Sequence, residues 1–289
     1  MDLSIVIVSY NTREMLRDCL KSIPASVEGL EVETYVVDNC SPDDSASMVA
    51  EEFPPIHLIA NTENAGFTKA NNQALKLCTG RNIVILNPDT EVKPGSLAKL
   101  VAFLDSHSEV GAVGPQLLNT DGTLQKSGCR FPSPLAEFLA ISGLRNFSRA
   151  RYDTYSWQRD DFNIMAEVDC VSGACLMIRG SVMRQVGMLS EDFFMFYEEV
   201  EWCWRIREAG FTVVYLPEAK VTHHWMGSVR QQSEAMTERL MQSQVIYYRK
   251  TAAPGVQLAS RFVSLFGRAQ NRFIHFAVAV KHRLFPRKV

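Results

Sequence analysis

Apolar and polar positions along this chain fall into two alternating rhythms, short unbroken apolar runs and stretches of helical period. Residues 83–86, Ile-Val-Ile-Leu, have no polar break and predict a strand buried on both faces at the centre of a parallel sheet. Pairing should stop at Asn87-Pro88-Asp89, because Pro88 has no N–H to give a ladder. Asp89 is thereby left at the carboxyl end of a central strand, where open α/β sheets hold their ligands. Runs at 3–8, 32–37 and 56–60 predict three more strands. Met15, Leu16, Cys19, Leu20 and Ile23 recur at helical spacing from 12 to about 22. A polar turn, Asn64-Ala65-Gly66, leads into a helix over 67–78, and a helix after Pro94 precedes a strand near 110–114. Strand and helix at this rhythm predict an α/β fold, a mostly parallel, doubly wound central sheet with helices on both faces.

The alternation ends after Pro115. Asp121-Gly122 between short segments predicts a hairpin. Residues 131–166 mix Pro, Ser, aromatics and charges without a period and read as an irregular insertion over the site. Residues 168–178 read as a strand interrupted by Ser172-Gly173-Ala174. A helix over 198–209 should end at Gly210, a C-cap. On it, Trp202, Ile206 and Ala209 share a core-facing side, and Glu201 and Arg205 form an i, i+4 pair. A strand over 211–216, a loop Val221-Thr222-His223-His224 onward, and a helix over 234–250 follow.

Composition changes this picture little. The seven cysteines are odd in number and contain no C-x-x-C, so neither a disulfide framework nor a zinc knuckle is expected, and a reducing, cytoplasmic setting fits. The opening MDLSIVIVSY lacks the basic start of a signal peptide. No apolar run reaches the roughly 18 residues of a spanning helix. Charge is polarised. After Glu238 there are ten basic residues and no acid, which leaves residues 1–238 with twenty basic against thirty-two acidic. No nucleic-acid partner is expected.

Seven pieces in order, IVIVSYN, VVDNCSPDDS, NAGFTKANNQAL, ILNPDTEV, VSGACLMIRG, GMLSEDFFMFYEEVEWCWRIREAGF and HHWMGS, carry a family resemblance. Over roughly residues 3–250 the chain resembles the family-2 glycosyltransferases of GT-A fold, and among them the bacterial rhamnosyltransferase-like members that build surface polysaccharides. The resemblance implies a GT-A domain over 1–250, with 131–166 a variable insertion near the acceptor site and 251–289 a basic amphipathic tail. It implies that Ser9, Tyr10 and Asn11 line the base of a nucleotide, and that Asp38, with Asn39 beside it, accepts from the pyrimidine ring N–H or reaches the ribose. An anionic acceptor selects a base edge that presents a donor; the alternative for Asp38 is a turn at a strand end. Gly66 and Phe67 would bring backbone close to the nucleotide at a helix N-terminus, with a plain turn as the alternative. Asn72 matches a helix asparagine of structural role.

Asp89 falls on the family's Asp-x-Asp motif, whose first acid is Asn87 here. With one carboxylate left, the resemblance makes His223 the second protein ligand of Mg²⁺ or Mn²⁺, and His224 its competitor. Glu199 falls on the family's catalytic base, an aspartate there and one methylene longer here, with Glu198 the runner-up. The implied activity is inverting transfer of a sugar from a pyrimidine nucleotide-sugar, UDP- or dTDP-linked (dTDP-rhamnose among them), to a hydroxyl of a glycan or lipid-linked saccharide. The rival is a glycosyltransferase-like protein that binds sugar or a partner without turnover. A phosphatase of haloacid type would need an acid at Asn87, and a dinucleotide oxidoreductase would need G-x-G-x-x-G where SYNTRE stands. In the tail, Arg261, Arg268, Arg272 and Arg283 form one stripe of a helix beside Phe262, Phe266, Phe273, Phe276, Val280 and Leu284. That pattern suits a helix lying on the cytoplasmic face of a membrane; docking on the body or a homo-oligomer contact are the alternatives.

Overall fold

In the computed structural model the described residues are 1–142, 162–224 and 234–284, with side chains described over 1–142, 162–224 and 236–270. The chain begins with β1 (Leu3–Ser9), α1 (Arg13–Ser26), β2 (Val32–Asp38), α2 (Ser45–Glu52), β3 (His57–Ala60), α3 (Phe67–Leu75) and β4 (Asn82–Leu86). These strands lie in the order β3-β2-β1-β4, all parallel. Every residue of β1 and β4 is buried, as their unbroken apolar runs require. The strand order reverses direction between β1 and β4, and such a switch point opens a crevice at the strands' carboxyl ends.

The next elements are β5 (Thr90–Val92), α4 (Ser96–Ser106), β6 (Val110–Leu118), β7 (Leu124–Gln125), β8 (Gly128–Cys129) and α5 (Pro134–Ile141). The last are β9 (Ala166–Val168), β10 (Cys170–Val171), β11 (Cys175–Arg179), α6 (Gly180–Val186), α7 (Glu198–Glu208), β12 (Thr212–His223), α8 (Glu234–Thr251) and α9 (Pro254–Leu284). The sheet continues from β4 through β11, β6 and β12 to β5. β11 is antiparallel to both its neighbours, β12 runs parallel to β6, and β5 is antiparallel to β12.

Several local expectations hold for identifiable reasons. Gly122 takes φ +81 in the Asp121-Gly122 turn, and β7 folds back on β6 with Leu117 opposite Gln125. Gly210 takes φ +89 after α7, and the Phe211 N–H reaches back to the Ile206 carbonyl at 3.2 Å, closing the helix in a Schellman pattern. Trp202 and Ile206 are fully buried, and Arg205 pairs with Glu201 at 2.9 Å while also donating to the Met188 carbonyl.

Others are corrected. β6 runs on through Pro115 to Leu118, because Pro115 sits where β12 slips register between Leu216 and Lys220 and no ladder N–H is needed. His223 ends a strand instead of lying in a loop, since the end of β12 pairs with β5, His223 opposite Thr90. The insertion at 131–166 opens with a helix, α5, capped by the Ser133 hydroxyl and started by Pro134, a start signal that its mixed composition hid. Residues 225–233, with Ser228 among them, lie outside the described residues. Cys129 and Cys170, opposite one another across the β8–β10 pair, form a disulfide with Cα atoms 5.4 Å apart. No disulfide was expected, because a partner 41 residues away cannot be read from spacing.

The chain divides into two compact units. The first, Met1–Phe131 with Tyr155–Phe194 and Glu198–Arg230, contains the sheet. The second comprises Pro132–Thr154, Met195–Tyr197 and Gln231–Val289. Its core includes a buried carboxylate, Glu137, which accepts from the Tyr197 hydroxyl, Gln244 Nε2 (2.5 Å) and the Tyr248 hydroxyl (3.0 Å). Tyr197 and Phe196 both hold left-handed backbone (φ +66 and +69), a cost of about 1–3 kcal/mol each that these contacts offset. α9 packs on α8, where the buried Ser264 hydroxyl donates to the Met241 carbonyl at 3.3 Å. A Cβ on Gly267 would stand 3.0 Å from Met241 Sδ, so Gly267 serves that close approach.

Candidate active site

β1, β2 and β4 end side by side. Ser9 and Asp38 are paired positions at the ends of β1 and β2. Ser9 is fully buried and exchanges a hydroxyl hydrogen bond with Thr12 at 2.9 Å, while Tyr10 is 51 % exposed. Asn11 turns the chain in left-handed backbone, φ +56, with its N–H on Ser41 Oγ at 3.0 Å. Asp38 is 3 % exposed; one oxygen accepts the Ser41 N–H at 3.0 Å, and the other is buried without a partner. The turn function and a free acceptor therefore coexist on one carboxylate.

Asn39 is fully engaged elsewhere. Its Oδ1 accepts from Asn61 Nδ2 (3.1 Å) and the Ala65 N–H (3.0 Å), and its Nδ2 donates to Asn64 Oδ1 (2.9 Å). It braces the loop into α3. Gly66 answers first to a neighbouring side chain: a Cβ there would lie 2.7 Å from the Phe194 ring, and φ is +85. The Phe67 N–H at the start of α3 is taken by the Phe194 carbonyl at 2.8 Å, so that amide is not free for an anion. Asn72 donates to the Leu189 carbonyl (2.9 Å) and Glu191 Oε1 (3.0 Å), a bracing contact.

At the end of β4 the Asn87 N–H bonds the Ala174 carbonyl at 2.9 Å, and the Asn87 carbonyl accepts the Thr90 hydroxyl at 2.7 Å. That turn points Asp89 at β12. His224 N–H donates to the Asp89 carbonyl at 2.9 Å, and His223 Nε2 lies 3.3 Å from Asp89 Oδ1, both side chains being 10 % exposed. The other ring nitrogen of His223, Nδ1, is 2.6 Å from Gln125 Oε1 on β7. His224 instead turns to Glu91 at 2.6 Å, which separates the two histidines by role. One carboxylate oxygen and one imidazole nitrogen, converging on one point, are a donor set that suits Mg²⁺ or Mn²⁺. No cluster of three or more protein ligands occurs among the described residues, so a metal here needs oxygens from water and ligand as well.

Glu199 reaches the same strand end. Its Cβ, Cγ and Cδ lie 3.6–3.7 Å from where a Cβ on Gly173 would stand, and Gly173 adjoins the Ala174 that bonds Asn87. The interruption between β10 and β11 thus makes the floor on which Glu199 rests. Glu198 and Glu199 each bury one carboxyl oxygen without a hydrogen-bond partner. Burial pushes both carboxyls above the usual range. Glu198 goes well up, because the Glu199 charge adds to its burial, whereas the Glu199 and Val200 amides at the start of α7 favour the Glu199 anion. The two carboxyls interact closely enough to titrate as a pair, and both are held above the usual carboxylate range by burial. Gln125, Gly173 and Phe194 were not legible as site residues, since each acts through a partner distant in sequence.

Comparison with known proteins bears on the family and the fold. The sequence profile described as "Glycosyl transferase family 2" matches residues 4–187. The chain is 28 % identical over 234 residues to the N-acetylglucosaminyl-diphospho-decaprenol L-rhamnosyltransferase of Mycobacterium tuberculosis, covering 77 % of this chain and 76 % of that one. In fold it is similar to the mannosyltransferase PcManGT of Pyrobaculum calidifontis, solved with GDP-Man and Mn²⁺ (TM-score 0.58, 19 % identity, 96 % of this chain and 75 % of that one). It is also similar to S. aureus TarS 1–349 solved with UDP-GlcNAc (TM-score 0.61, 16 % identity, 86 % and 66 %). The switch-point crevice, the mostly parallel sheet and the profile spanning β1 to α6 lead to one conclusion: the chain has the GT-A fold and belongs to glycosyltransferase family 2.

Proposed function

We propose that this chain is an inverting, metal-dependent glycosyltransferase that uses a pyrimidine nucleotide-sugar, UDP- or dTDP-linked, and glycosylates a lipid-linked or glycan hydroxyl in cell-surface polysaccharide assembly. The observation that carries this reading is the Asp89–His223 pair just past the carboxyl end of β4, with Glu199 lying against Gly173 next to the Ala174 that bonds Asn87. The buried, unpartnered Asp38 oxygen supports a pyrimidine base, whose ring N–H it would accept. Asp89 and His223 would hold the metal; the ion's charge offsets the negative charge on a departing nucleoside diphosphate. Glu199 takes the proton of the acceptor hydroxyl as its oxygen bonds to the anomeric carbon. The bond from that carbon to the diphosphate oxygen breaks, and its electron pair leaves with the nucleoside diphosphate. A buried carboxyl whose pKa is raised by desolvation suits proton transfer better than simple binding, which favours this reading over a sugar-binding protein without activity. A screen of UDP-, dTDP- and GDP-sugars with Mn²⁺ or Mg²⁺ should release nucleoside diphosphate from a pyrimidine donor, rhamnose being favoured by the mycobacterial relative. Release from none of them, with binding intact, would support the rival.

The tail supplies the acceptor's setting in this reading. No helix among the described residues is long and apolar enough to cross a membrane. α9 nevertheless keeps Leu258, Phe262 and Leu265 more than 60 % exposed on one side while its other side is buried, and no acid follows Glu238. Arg261 is exposed beside that face; Arg268 is partly spent on Glu238 at 3.3 Å. An apolar face in a purely basic segment fits an anionic bilayer surface. Phe262→Glu with Leu265→Glu is expected to weaken binding to phosphatidylglycerol vesicles at least ~100-fold, given about 1.5–3 kcal/mol per buried large apolar side chain. Unchanged sedimentation with vesicles would refute membrane contact; a shift in mass with concentration would assign the face to a second copy.

A further inference from the structure

The hairpin of β6 and β7 carries a directional chain of hydrogen bonds that ends on His223. It starts at Asp121, whose carboxyl the Thr123 hydroxyl and N–H hold below the usual range. An ionised carboxylate only accepts, so the Thr123 hydroxyl must spend its proton on Asp121 Oδ1, at 2.6 Å. Thr123 Oγ1 is then an acceptor toward Asn119, and Asn119 Nδ2 donates to it at 2.9 Å. That choice turns Asn119 Oδ1 toward Gln125, whose Nε2 donates to it at 3.0 Å and to the His223 carbonyl at 3.3 Å. With both neighbours of Nε2 being acceptors, the Gln125 amide cannot be reversed. Its Oε1 must face His223 Nδ1, at 2.6 Å, and an amide oxygen can only accept.

We propose that the chain Asp121–Thr123–Asn119–Gln125 is a positioning device that holds His223 in its Nδ1–H tautomer with the Nε2 lone pair aimed at the space beside Asp89. Nε2 and Asp89 Oδ1, 3.3 Å apart, are then two acceptors facing one another, an arrangement that a cation between them would relieve. Gln125 acts through His223 and is a positioning residue, as partners on the remote nitrogen of a ligating histidine commonly are. This inference rests on the metal-binding reading of Asp89 and His223 for its consequence, but the tautomer itself is a property of the metal-free protein.

The test is the pair of ¹⁵N shifts of the His223 ring in metal-free, full-length protein, with Mn²⁺ affinity in the presence of UDP read separately by the free-ion paramagnetic signal. The wild type should show Nδ1 protonated and Nε2 bare. Gln125→Leu should move the proton toward Nε2, where it can bond Asp89, and lower Mn²⁺ affinity about 10–100-fold. Gln125→Glu, which keeps an acceptor at Nδ1, should retain the wild-type tautomer. Thr123→Val, remote from both ligands, should give a smaller shift in the same direction as Gln125→Leu, and it keeps the test usable if Gln125→Leu folds poorly. A wild-type ring protonated at Nε2, or a tautomer unmoved by both Gln125→Leu and Thr123→Val, would overturn the proposal. His223→Ala with undiminished Mn²⁺ affinity would instead remove the metal reading, whatever the tautomer shows.

Discussion

Glu199→Gln is expected to lower kcat by about 10²–10⁴-fold, the contribution of a positioned general base, while nucleotide-sugar and Mn²⁺ affinities stay within a few-fold of wild type. The substitution keeps the volume of the side chain and its bed on Gly173, and removes only the capacity to accept a proton. Glu198→Gln should be far milder, because Glu199, not Glu198, is the carboxylate that lies against Gly173 beside the end of β4. The pH dependence follows in sign from the same geometry. Burial raises the Glu199 pKa, so the reactive anion is depleted at a higher pH than an ordinary carboxylate would be. kcat/KM should therefore rise with pH and level off above that raised value, with an acid limb above the usual glutamate pKa of about 4.3. Gln at 199 should abolish the limb along with the rate. Single-turnover transfer with each variant, alongside calorimetric donor binding, checks all of this. Should the Glu198 variant be dead and the Glu199 variant active, the base is Glu198.

Asp89→Ala and His223→Ala should each reduce transfer by about 10³-fold or more, the equivalent of several kcal/mol of charge stabilisation, and each should cost Mn²⁺ affinity. Thermal unfolding should change little. β5 and β12 are joined by backbone hydrogen bonds, including that between the His224 N–H and the Asp89 carbonyl, and neither substitution removes those. The double variant should be little worse than either single one, since two ligands of one site act as a unit. Full-rate transfer in excess chelator would show that the pair does not serve a metal. His224→Ala is the internal control. Its ring turns to Glu91, so transfer should persist at near the wild-type rate.

The order of elements through β4 was legible because β1 and β4 are buried on both faces, and because β2 and the edge strand β3, though less buried, keep short apolar runs in the same alternation with helices. A strand so placed is apolar along most of its length, and parallel strands are most often connected by helices, so the alternation of apolar runs and helical periods carries the topology of β1, β2, β3 and β4. Asp38 and Asp89 were legible for a related reason: a polar residue that ends an apolar run sits at a strand's carboxyl end, which is where this architecture places ligands. Beyond β6 the strands reach partners far away in sequence. β12 runs six residues past Pro217 to His223 because β5 is there to pair with it, and nothing in Val221-Thr222-His223 alone distinguishes that strand from a loop. Gly66 reads as an approach to a ligand until the Phe194 ring is seen against it, and Asn39 reads as a ligand until its amide is found holding the α3 loop. The strand ends, the acids on them and the family likeness were readable from residue type and near neighbours alone. Which imidazole nitrogen faces Asp89, that both glutamates at the start of α7 are buried, and what Gly173 supports emerge only once the chain is folded. Those depend on desolvation and on hydrogen-bond partners that the fold brings together from separate parts of the chain.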